Sequence, residues 1–341
     1  MKLQKNISLK PYNTFGIDVS AYFFIQVRSM DELKKILSED EFRYVPKLIL
    51  GGGSNVLFTK DVDALVIHNG MHGIEVVKED YHHVYIRAGA GVEWNDLVVY
   101  CVNNNYGGLE NLSLIPGSVG AAPMQNIGAY GVELKDCFYE LVALDIQTLE
   151  ERIFTKEECN FGYRESIFKH EAKGKYIIAS VTLCLSKHAI LNTGYGAIEH
   201  ELHNMNAEAT IKNISDAVCN IRRSKLPDWK MIGNAGSFFK NPEISEQKFD
   251  QLISKFPVMP NYRITQLDNN LTYKIPASWL IEQCGWKGKR VGNTGSHKDQ
   301  ALVLVNYGNA TGEEIILLAK QIQESVNEKF NVDIMTEVNV Y

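Results

Sequence analysis

The pattern of apolar and polar positions in the first half of the chain predicts strands separated by a few helices. Apolar runs over 21–27 and 47–50 are typical of strands, and Ser29 and Glu32 between them have capping-box spacing. A strand, a glycine turn and a helix follow within 82–105, so the start is βαβ-like and the class is α+β. Further strands are predicted in 137–155 and 176–186.

A second unit is predicted where Pro227 ends the helical pattern of residues 214–227. Thr311 and Glu314 form another capping box ahead of an amphipathic helix over 313–330. The other elements predicted in this half are a strand starting in GNAGSFF (233–239), helices at about 245–255 and 277–284, a strand at 301–306 and a final strand at 332–340.

Composition and charge narrow the class of protein. The 341 residues suit two or three domains, and 45% hydrophobic with 22% charged residues is typical of a folded globular chain. A net charge of −6 argues against a nucleic-acid partner, which requires a concentrated basic surface. The first residues lack the apolar core of a signal peptide, and no apolar run approaches membrane-spanning length. We therefore expect a cytoplasmic protein with no membrane partner.

Cysteines and histidines give no metal-binding pattern. The six cysteines are scattered singly without a CxxC pair, so we expect most of them to be small buried hydrophobic residues. His200 and His203 are three residues apart, whereas a zinc-binding HExxH helix needs a spacing of four. We interpret this pair as the exposed face of a helix and predict no metal site.

The segment GGGSN (51–55) directly follows a predicted strand. Backbone N–H groups in such a turn can surround a phosphate, because glycine removes the side chains that would block its approach. The segment is not a P-loop, since no Gly-Lys-Ser/Thr follows, and it lacks the GxGxxG of dinucleotide-binding folds. A plain tight turn remains an equal alternative for this segment alone.

A second glycine-rich segment, IPGSVGAAPMQNIGAYG (115–131), strengthens the case for a ligand. A structureless run of this length inside a compact domain is usually functional. Two such loops in one domain suggest a large cofactor with several negative charges. Two surface loops without a ligand remain the alternative.

Two further segments place single reactive groups among glycines and aromatic rings. In GYRES (162–166), the planar fork of Arg164 suits a carboxylate, although an exposed charge is the commoner role of an arginine. In IGNAGSFFKNP (232–242), Ser237 lies between small residues and two phenylalanines. This serine belongs either to a turn that enters a strand or to a site where a hydroxyl meets a ligand at close range.

These segments and RRSKLP (222–227), in this order and at these separations, resemble the UDP-N-acetylenolpyruvoylglucosamine reductases over nearly the whole chain. GGGSN alone is shared with other flavoproteins of the vanillyl-alcohol-oxidase fold. The resemblance implies an α+β protein with a two-subdomain FAD-binding region of that type (1–212, divided at about 68/69). It also implies a substrate-binding domain (213–335) and a C-terminal strand (336–341) that completes the active site.

The resemblance also implies a reaction and its ligands. FAD would be bound non-covalently, and NADPH would deliver hydride through it to the enolpyruvyl ether of UDP-N-acetylglucosamine enolpyruvate. The product would be UDP-N-acetylmuramate, for peptidoglycan synthesis. No obligate protein partner is predicted.

By the same resemblance, the catalytic residues are Arg164, Ser237 and Glu337. Gln125 and Asn126 would face the flavin ring, and Arg222 would be the basic residue near the cofactor. The remaining cofactor-binding residues, around the diphosphate, are Gly51, Gly52, Gly53, Ser54, Asn55, Pro116, Gly117, Ser118 and Gly120. Substrate-binding residues are Tyr130, Tyr195, Lys225, Asn241 and Gln300, with Tyr195 in a loop at 192–198 that closes over the UDP diphosphate.

One position departs from the family pattern. Many relatives have an arginine two residues after the catalytic glutamate, whereas this chain has Asn339. A contact from that basic residue is therefore not expected here, while Glu337 is retained.

The expected chemistry assigns a separate task to each catalytic residue. Arg164 would neutralise the substrate carboxylate, and Glu337 would orient Arg164 or, if protonated, donate a hydrogen bond to the enolate. Ser237 would donate the proton, with Gly236 letting the backbone pass close to the substrate. Because serine is a weak acid, we expect its hydroxyl to be hydrogen-bonded to a group that favours proton release.

Two other functions fit part of the pattern. An FAD-dependent oxidase of the same fold would often tether its flavin through a histidine near the glycine loops, and neither loop contains one. A non-enzymatic nucleotide-binding module would need the glycine loops but not Arg164, Ser237 and Glu337.

Overall fold

The predicted α+β class is confirmed by the structure, a computed structural model that describes residues 2–265 and 271–341. The α-helices are α1 (Met30–Ser38), α2 (Trp94–Asn103), α3 (Gly196–Asn204), α4 (Ile211–Lys225), α5 (Glu246–Lys255), α6 (Ala277–Gln283) and α7 (Gly312–Phe330). The strands of the first half are β1 (Gln4–Ser8), β2 (Ser20–Val27), β3 (Lys47–Leu50), β4 (Val56–Leu57), β5 (Val62–Asn69), β6 (Ile74–Glu79), β7 (His83–Gly89), β8 (Gly128–Ala129), β9 (Val132–Glu133), β10 (Phe138–Asp145), β11 (Glu151–Thr155) and β12 (Tyr176–Ser186). Those of the second half are β13 (Gly233–Ser237), β14 (Glu243–Ser245), β15 (Tyr262–Thr265), β16 (Leu271–Lys274), β17 (Arg290–Val291), β18 (Thr294–Ser296), β19 (Val303–Asn306) and β20 (Asn339–Val340).

The chain divides into two compact units. Unit 1 comprises the residues up to Ile7, together with Ala21–Gly53 and Val62–Ser224. Unit 2 comprises Ser8–Ser20, Ser54–Asp61 and Lys225–Tyr341. The GGGSN segment is therefore shared, with its glycines in unit 1 and its last two residues in unit 2.

The first sheet of unit 1 contains the predicted βαβ start. Strands β2 and β3 both pair in parallel with β5, and β1 lies at the edge, in the order β1-β2-β5-β3. Helix α1 begins where predicted, because the Ser29 side chain accepts a hydrogen bond from the Glu32 N–H. Leu33 and Ile36 of this helix pack against Phe23 and Ile25 of β2 in one buried cluster.

The second sheet of unit 1 supports the glycine-rich segment. Its five antiparallel strands follow the order β11-β10-β12-β7-β6. Trp94 and Leu97 of α2 are buried in one cluster with Val181 and Leu183 of β12. The Trp94 indole donates a 3.0 Å hydrogen bond to the Leu112 carbonyl, which fixes the chain just before residues 115–131.

Unit 2 is built around the sheet β13-β19-β18-β17, with a second sheet, β14-β16-β15. Helix α7 begins with the predicted capping box: the Thr311 side chain accepts from the Glu314 N–H, and the Glu314 side chain accepts from the Thr311 N–H. Its apolar residues Ile315, Leu318 and Ile322 are buried. Within the part of the chain that the structure describes, no helix is both long and apolar enough to cross a membrane.

Two expectations about local structure are wrong. The segment 115–131 is not structureless, because Val119–Gln125 forms a 3-10 helix and Gly128–Ala129 forms β8. The final strand, predicted over 332–340, is a strand only at Asn339–Val340. This segment changes partners: Thr336 forms a single bridge with Phe239, and β20 then pairs with β4. No continuous ladder can form along a segment that switches neighbours in this way.

Candidate active site

The two glycine-rich segments lie side by side in unit 1. A Cβ atom built on Gly51 would be 2.2 Å from the Ser118 hydroxyl oxygen, and one on Gly52 would be 3.0 Å from the Gly117 Cα. Gly53 and Gly117 have φ angles of 63° and 115°, which other residues rarely adopt. The glycines are therefore required for the approach of one loop to the other, and the two loops form one feature.

The same crowding continues along the second segment. A Cβ on Gly120 would be 2.5 Å from the Cβ of Ala90, the first residue after β7. Ser118 is buried, while Pro116 is exposed at the rim. The loops thus pack through glycine backbone and the small side chains of Ser118 and Ala90, and the glycines have no side chains of their own to cover their N–H groups, as a diphosphate-binding loop requires.

Asn126 holds this segment in shape. It is completely buried with a left-handed φ of 43°, and its amide donates to the Gly162 carbonyl and to Glu133 at 2.9 and 3.1 Å. Its Oδ1 accepts from the Lys135 N–H at 3.0 Å. The neighbouring Gln125 is half-buried and accepts a 3.4 Å hydrogen bond from Lys169. The contact of both residues with a flavin stays a prediction.

Arg222 is held by backbone and by a phenol. Its Nε donates to the Leu114 carbonyl at 3.2 Å, and Leu114 has a left-handed φ of 60°, a costly conformation for leucine. Burial lowers the pKa of the Arg222 guanidinium. Burial raises the pKa of the Tyr130 phenol, and the charge of Arg222 and its hydrogen bond to the phenol oppose that rise. The predicted cofactor and substrate residues Arg222 and Tyr130 therefore contact each other.

Tyr195 lies against Tyr130. Their rings meet edge to face, with centroids 5.4 Å apart, and Tyr195 is 43% exposed. The predicted loop 192–198 is correct only for its first part, because α3 begins at Gly196 and Ile198 is completely buried. Tyr195 therefore sits at the start of a helix, on an anchored base.

Asn111 is a residue of this region that the sequence did not single out. It is 1% exposed, and its amide donates 3.0 Å hydrogen bonds to the carbonyls of Tyr130 and Asn192. It thus joins the tyrosine segment to the glycine-rich segment. The partners are 19 and 81 residues away in sequence, so no local pattern indicates this role.

Arg164 occupies a tight turn of unit 1. Gly162 and Glu165 exchange backbone hydrogen bonds at 3.0 and 3.2 Å, and Arg164 has a left-handed φ of 57°. Its Nη2 donates to the Gly128 carbonyl at 2.8 Å. A Cβ on Gly128 would be 3.2 Å from its Nη1, so this glycine makes room for the guanidinium.

Ser237 follows a β-bulge in unit 2. The register between β13 and β19 shifts between Asn234 and Ser237, and Gly236 there has a φ of 67°. A Cβ on Gly236 would meet nothing within 4 Å. Glycine is thus needed for its left-handed conformation, and the close approach of its backbone to the substrate stays a prediction.

The expectation of a hydrogen-bond partner for the Ser237 hydroxyl is wrong for the described residues. Over residues 2–265 and 271–341, no hydrogen bond to its Oγ is made, and the residue is half-buried. The two rings after it are buried, with Phe238 0% and Phe239 1% exposed, as expected of anchors.

Glu337 is tied to the serine strand through Phe238. The Glu337 N–H donates to the Phe238 carbonyl at 2.8 Å, and the Phe238 N–H donates to the Leu302 carbonyl at 2.9 Å. The Asn55 amide donates to the Glu337 carbonyl at 3.4 Å, and the Asn339 N–H and side chain each donate to the Asn55 carbonyl at 3.1 Å. Asn339, at the position where many relatives have arginine, thus binds the backbone of Asn55 within unit 2.

The remaining predicted residues have varied settings. Asn241 accepts a 2.9 Å hydrogen bond from the Ala277 N–H and so caps α6. Lys225 is exposed at the end of α4, and Gln300 and Ser54 are half-buried. Their contacts with substrate or cofactor stay predictions.

The histidine pair has the predicted setting, and the cysteines have it only in part. His200 and His203 lie on the exposed face of α3. Cys101, Cys137 and Cys159 are buried, whereas Cys184, Cys219 and Cys284 are half-buried, so half of the cysteines and not most of them have the predicted burial. Among the residues with described positions, no group of three or more His, Cys, Asp or Glu side chains is arranged to hold a metal ion.

The fold and the paired glycine loops define an FAD-binding flavoprotein, since residues 21–148 match the family model of an FAD binding domain. Residues 227–341 match the model for the C-terminal domain of UDP-N-acetylenolpyruvoylglucosamine reductase. The chain belongs to the UDP-N-acetylenolpyruvoylglucosamine reductase family.

Full-length relatives support this assignment. The chain is 54% identical to the UDP-N-acetylenolpyruvoylglucosamine reductase of Flavobacterium johnsoniae, with all of both chains covered. It is 50% identical to that of Amoebophilus asiaticus, covering 100% of this chain and 99% of the relative, and 46% identical to that of Pseudomonas putida, covering 99% and 98%.

A solved structure has the same fold. The crystal structure of the reductase from Thermus caldophilus matches with a TM-score of 0.70 at 23% identity, covering 100% of this chain and 99% of the other. At that identity the likeness shows the fold alone.

The residues of unit 1 fit FAD. The glycine loops meet where an added Cβ would collide, which leaves backbone to face a diphosphate. Arg222 adds a half-buried positive charge held by the Leu114 carbonyl, which suits a cofactor carrying negative charge.

Proposed function

We propose that this protein catalyses the NADPH-dependent reduction, through non-covalent FAD, of UDP-N-acetylglucosamine enolpyruvate to UDP-N-acetylmuramate, in cytoplasmic peptidoglycan precursor synthesis. The observation that carries the proposal is the setting of Ser237, a half-buried hydroxyl on a β-bulge with no hydrogen bond within the described residues. Relatives named as this reductase, 46–54% identical over essentially the full length, support the same conclusion.

We assign the parts of the chain accordingly. Residues 1–212 bind FAD in two subdomains, about 1–68 and 69–212, and residues 213–335 bind substrate. Residues 336–341 contribute Glu337 to the site. The assignment follows chemical role, and the packing into two units is a separate division.

The reaction adds one hydride and one proton across a carbon–carbon double bond. FAD, held by the glycine loops and Arg222, would supply the transfer of hydride from NADPH to the outer methylene carbon of the enolpyruvyl ether. The electron pair of the double bond moves onto the substrate carboxylate as an enolate, and a proton then joins the inner carbon. NADPH becomes NADP⁺, the methylene becomes a methyl group, and the ether bond stays intact.

Arg164 stabilises the charge that develops on the carboxylate. Its guanidinium is already aligned, because Nη2 is bonded to the Gly128 carbonyl and Gly128 leaves room beside Nη1. A donor fixed before reaction needs no reorganisation in the transition state, and such donors are often worth ~10²–10³-fold in kcat. Glu337 orients this arginine or hydrogen-bonds to the enolate.

Ser237 donates the proton to the inner carbon. The bulge and the buried Phe238 fix its position, which is what a general acid requires. Because no protein group in the described chain bonds to its Oγ, the reacting molecule or a water relay completes its hydrogen bonding.

The other predicted residues bind the two large ligands. We assign the FAD diphosphate to Gly51–Asn55 and to Pro116, Gly117, Ser118 and Gly120, the flavin to Gln125 and Asn126, and the basic contact to Arg222. Tyr130, Tyr195, Lys225, Asn241 and Gln300 are assigned to the substrate, with Lys225 on the UDP diphosphate. The edge contact of Tyr195 with Tyr130 supports a joint role in covering the substrate.

A steady-state assay tests the proposal against the oxidase alternative. Purified protein that releases FAD on denaturation is mixed with NADPH without oxygen, and NADPH absorbance is followed with and without the enolpyruvyl substrate. We expect NADPH consumption that requires this substrate and gives UDP-N-acetylmuramate. Flavin that stays covalently attached, or turnover of an alcohol only when oxygen is admitted, would favour the oxidase.

A further inference from the structure

We propose that Lys169 is a positioning residue that holds the Arg164 turn against the loop carrying Gln125. This proposal rests on the proposed function, because Arg164 is the residue whose position would matter for catalysis. Lys169 lies five residues after Arg164, at the end of a short 3-10 helix, Ile167–Lys169.

The Arg164 turn carries a conformational cost. Arg164 is the third residue of a four-residue turn closed by Gly162 and Glu165, and its φ of 57° is one that glycine or asparagine usually provides. A non-glycine residue in this region persists only when its surroundings hold it. An arginine in this conformation therefore needs a specific interaction, here called a brace, that holds the turn in place.

Lys169 supplies that brace from one side. Its ammonium donates to the Arg164 carbonyl oxygen at 2.9 Å and to the Gln125 Oε1 at 3.4 Å. Both acceptors are neutral, so the charge of the half-buried ammonium strengthens each bond. One side chain thus connects the backbone of the catalytic arginine with a residue of the cofactor loop.

The 3-10 helix that carries Lys169 is itself fixed to the same loop. The Ser166 hydroxyl donates to the Met124 carbonyl at 2.8 Å and accepts from the Phe168 N–H at 3.3 Å. Phe168 is 2% exposed. The ammonium is consequently presented from a rigid base next to Gln125, and its loss would release the carbonyl side of the Arg164 turn.

The kinetic test compares Lys169→Met with Lys169→Arg and with the exposed control Lys173→Met. We expect Lys169→Met to keep FAD and to be reduced by NADPH within about twofold of the wild-type rate. Its reoxidation by the enolpyruvyl substrate should slow by up to ~10²-fold, the cost of a displacement of about 1 Å. Lys169→Arg should recover most of this loss, and Lys173→Met should match the wild type. Wild-type reoxidation in Lys169→Met would overturn the proposal.

A double-mutant cycle separates positioning from general bracing. Lys169→Met is combined with Arg164→Lys, which removes the fork that needs positioning. If Lys169 acts through Arg164, its loss should slow reoxidation by less than about threefold in that background. If Lys169→Met slows reoxidation as much in the Arg164→Lys background as it does in the wild type, the assignment is overturned. Should Lys169→Met lose FAD, Lys169→Gln, which keeps an uncharged donor, takes its place with the same criteria.

Trypsin gives a readout that does not depend on the proposed reaction. The enzyme cleaves after arginine only when the surrounding chain can extend, so the braced Arg164–Glu165 bond should resist it. We expect mass spectrometry to show faster cleavage there in Lys169→Met and Lys169→Gln than in the wild type or Lys173→Met. Equal cleavage would overturn the brace whatever the outcome for the reductase. Faster cleavage in the two Lys169 variants, together with a wild type that reduces no substrate, would overturn the proposed function alone.

Discussion

The chemistry proposed for Ser237 depends on the backbone immediately before it. Asn234 is buried, accepts the Gly236 N–H at 3.0 Å and donates to the carbonyls of Ile232 and Pro227 at 2.9 and 3.3 Å. These bonds hold the bulge in which Gly236 is left-handed. A single asparagine therefore sets the direction in which the strand, and with it the Ser237 hydroxyl, continues.

Replacing Ser237 with alanine should separate the two halves of the reaction. Flavin reduction by NADPH needs no proton from this serine, so we expect bleaching at nearly the wild-type rate. Reoxidation by the enolpyruvyl substrate should slow by ~10²–10⁴-fold, because a positioned general acid is lost. Ser237→Cys should recover part of the rate, since a thiol can donate a proton from a similar position. Stopped-flow absorbance measures both steps.

Ser254 provides the matched control, since it is an exposed serine of α5 whose hydroxyl bonds only locally to the Gln251 carbonyl. Ser254→Ala should leave both half-reactions unchanged. A Ser237→Ala protein that is slow in flavin reduction but normal in reoxidation would contradict the proton-donor role.

The approach of the two glycine loops leads to a prediction about cofactor binding. In Gly51→Ala the new methyl group would lie 2.2 Å from the Ser118 Oγ, so one loop must move. We expect lower FAD occupancy and a lower melting temperature, both partly restored by adding Ser118→Gly. Gly196→Ala is the control, because a Cβ there meets nothing within 4 Å. FAD absorbance per protein measures the effect, and full occupancy in Gly51→Ala would refute the role of this contact.

The start of helix α3 leads to a prediction about substrate binding. Tyr195→Phe keeps the ring edge on Tyr130 and removes only the hydroxyl, so the Michaelis constant for the UDP-sugar should rise about 2- to 10-fold, as for one hydrogen bond. Tyr195→Ala should raise it further, because the ring contact is also lost. FAD content should not change. Steady-state kinetics measure these constants, with the exposed Tyr44→Ala as control. Unchanged Michaelis constants in both Tyr195 variants would reject the role of Tyr195 in covering the substrate.

Helices whose starts depend on neighbouring residues could be predicted from the sequence. The last strand, whose pairing depends on distant residues, could not. Ser29 and Thr311 marked the starts of α1 and α7 because capping uses residues three positions apart. The segment 332–340 alternates like a strand, but its pairing is decided by Phe239 and by β4, far away in the chain. Its short β20 therefore follows from tertiary contacts that periodicity does not contain.

Prediction of the candidate site from sequence has the same limit, because contacts between distant residues are not visible in it. Arg164, Ser237 and Glu337 were predicted because they lie in family motifs, and the glycines were predicted because they occur in runs. Asn111 fixes the backbone of Tyr130, and Asn234 fixes the backbone before Ser237, each through hydrogen bonds to carbonyl oxygens. Any asparagine in a loop has the same appearance in a sequence. Positioning residues of this kind emerge only from the structure.

Three buried thiols of unit 1 make the stability of the protein sensitive to alkaline pH. Burial raises the pKa of Cys101 and of Cys159 to about 12 each, and it also raises the pKa of Cys137. In the unfolded chain a thiol ionises near pH ~8.5. As the pH rises past that value the unfolded state releases protons first, so this contribution is complete below pH ~8.5 and is lost towards pH ~12.

Urea unfolding between about pH 7.5 and 10.5 measures this effect. We expect the free energy of unfolding to fall by up to ~1.4 kcal/mol per pH unit for each thiol. Cys101→Ala should lower stability at neutral pH but give a shallower decline, whereas Val98→Ala, a truncation in the same buried cluster, should keep the wild-type slope. An equal slope in the two variants would show that Cys101 ionises alike in both states.

The matches to an FAD binding domain and to the reductase C-terminal domain imply one central claim: NADPH reduces the flavin of this protein, and the enolpyruvyl substrate reoxidises it. A single-turnover measurement tests this claim directly. Anaerobic wild-type protein is reduced with one equivalent of NADPH and then mixed with one equivalent of UDP-N-acetylglucosamine enolpyruvate, while flavin absorbance and product mass are followed. We expect the flavin band to bleach on reduction and to return in full when the substrate is added. One equivalent of product should form, heavier than the substrate by two hydrogen atoms. A band that NADPH does not bleach, or that returns only when oxygen is admitted, would contradict it.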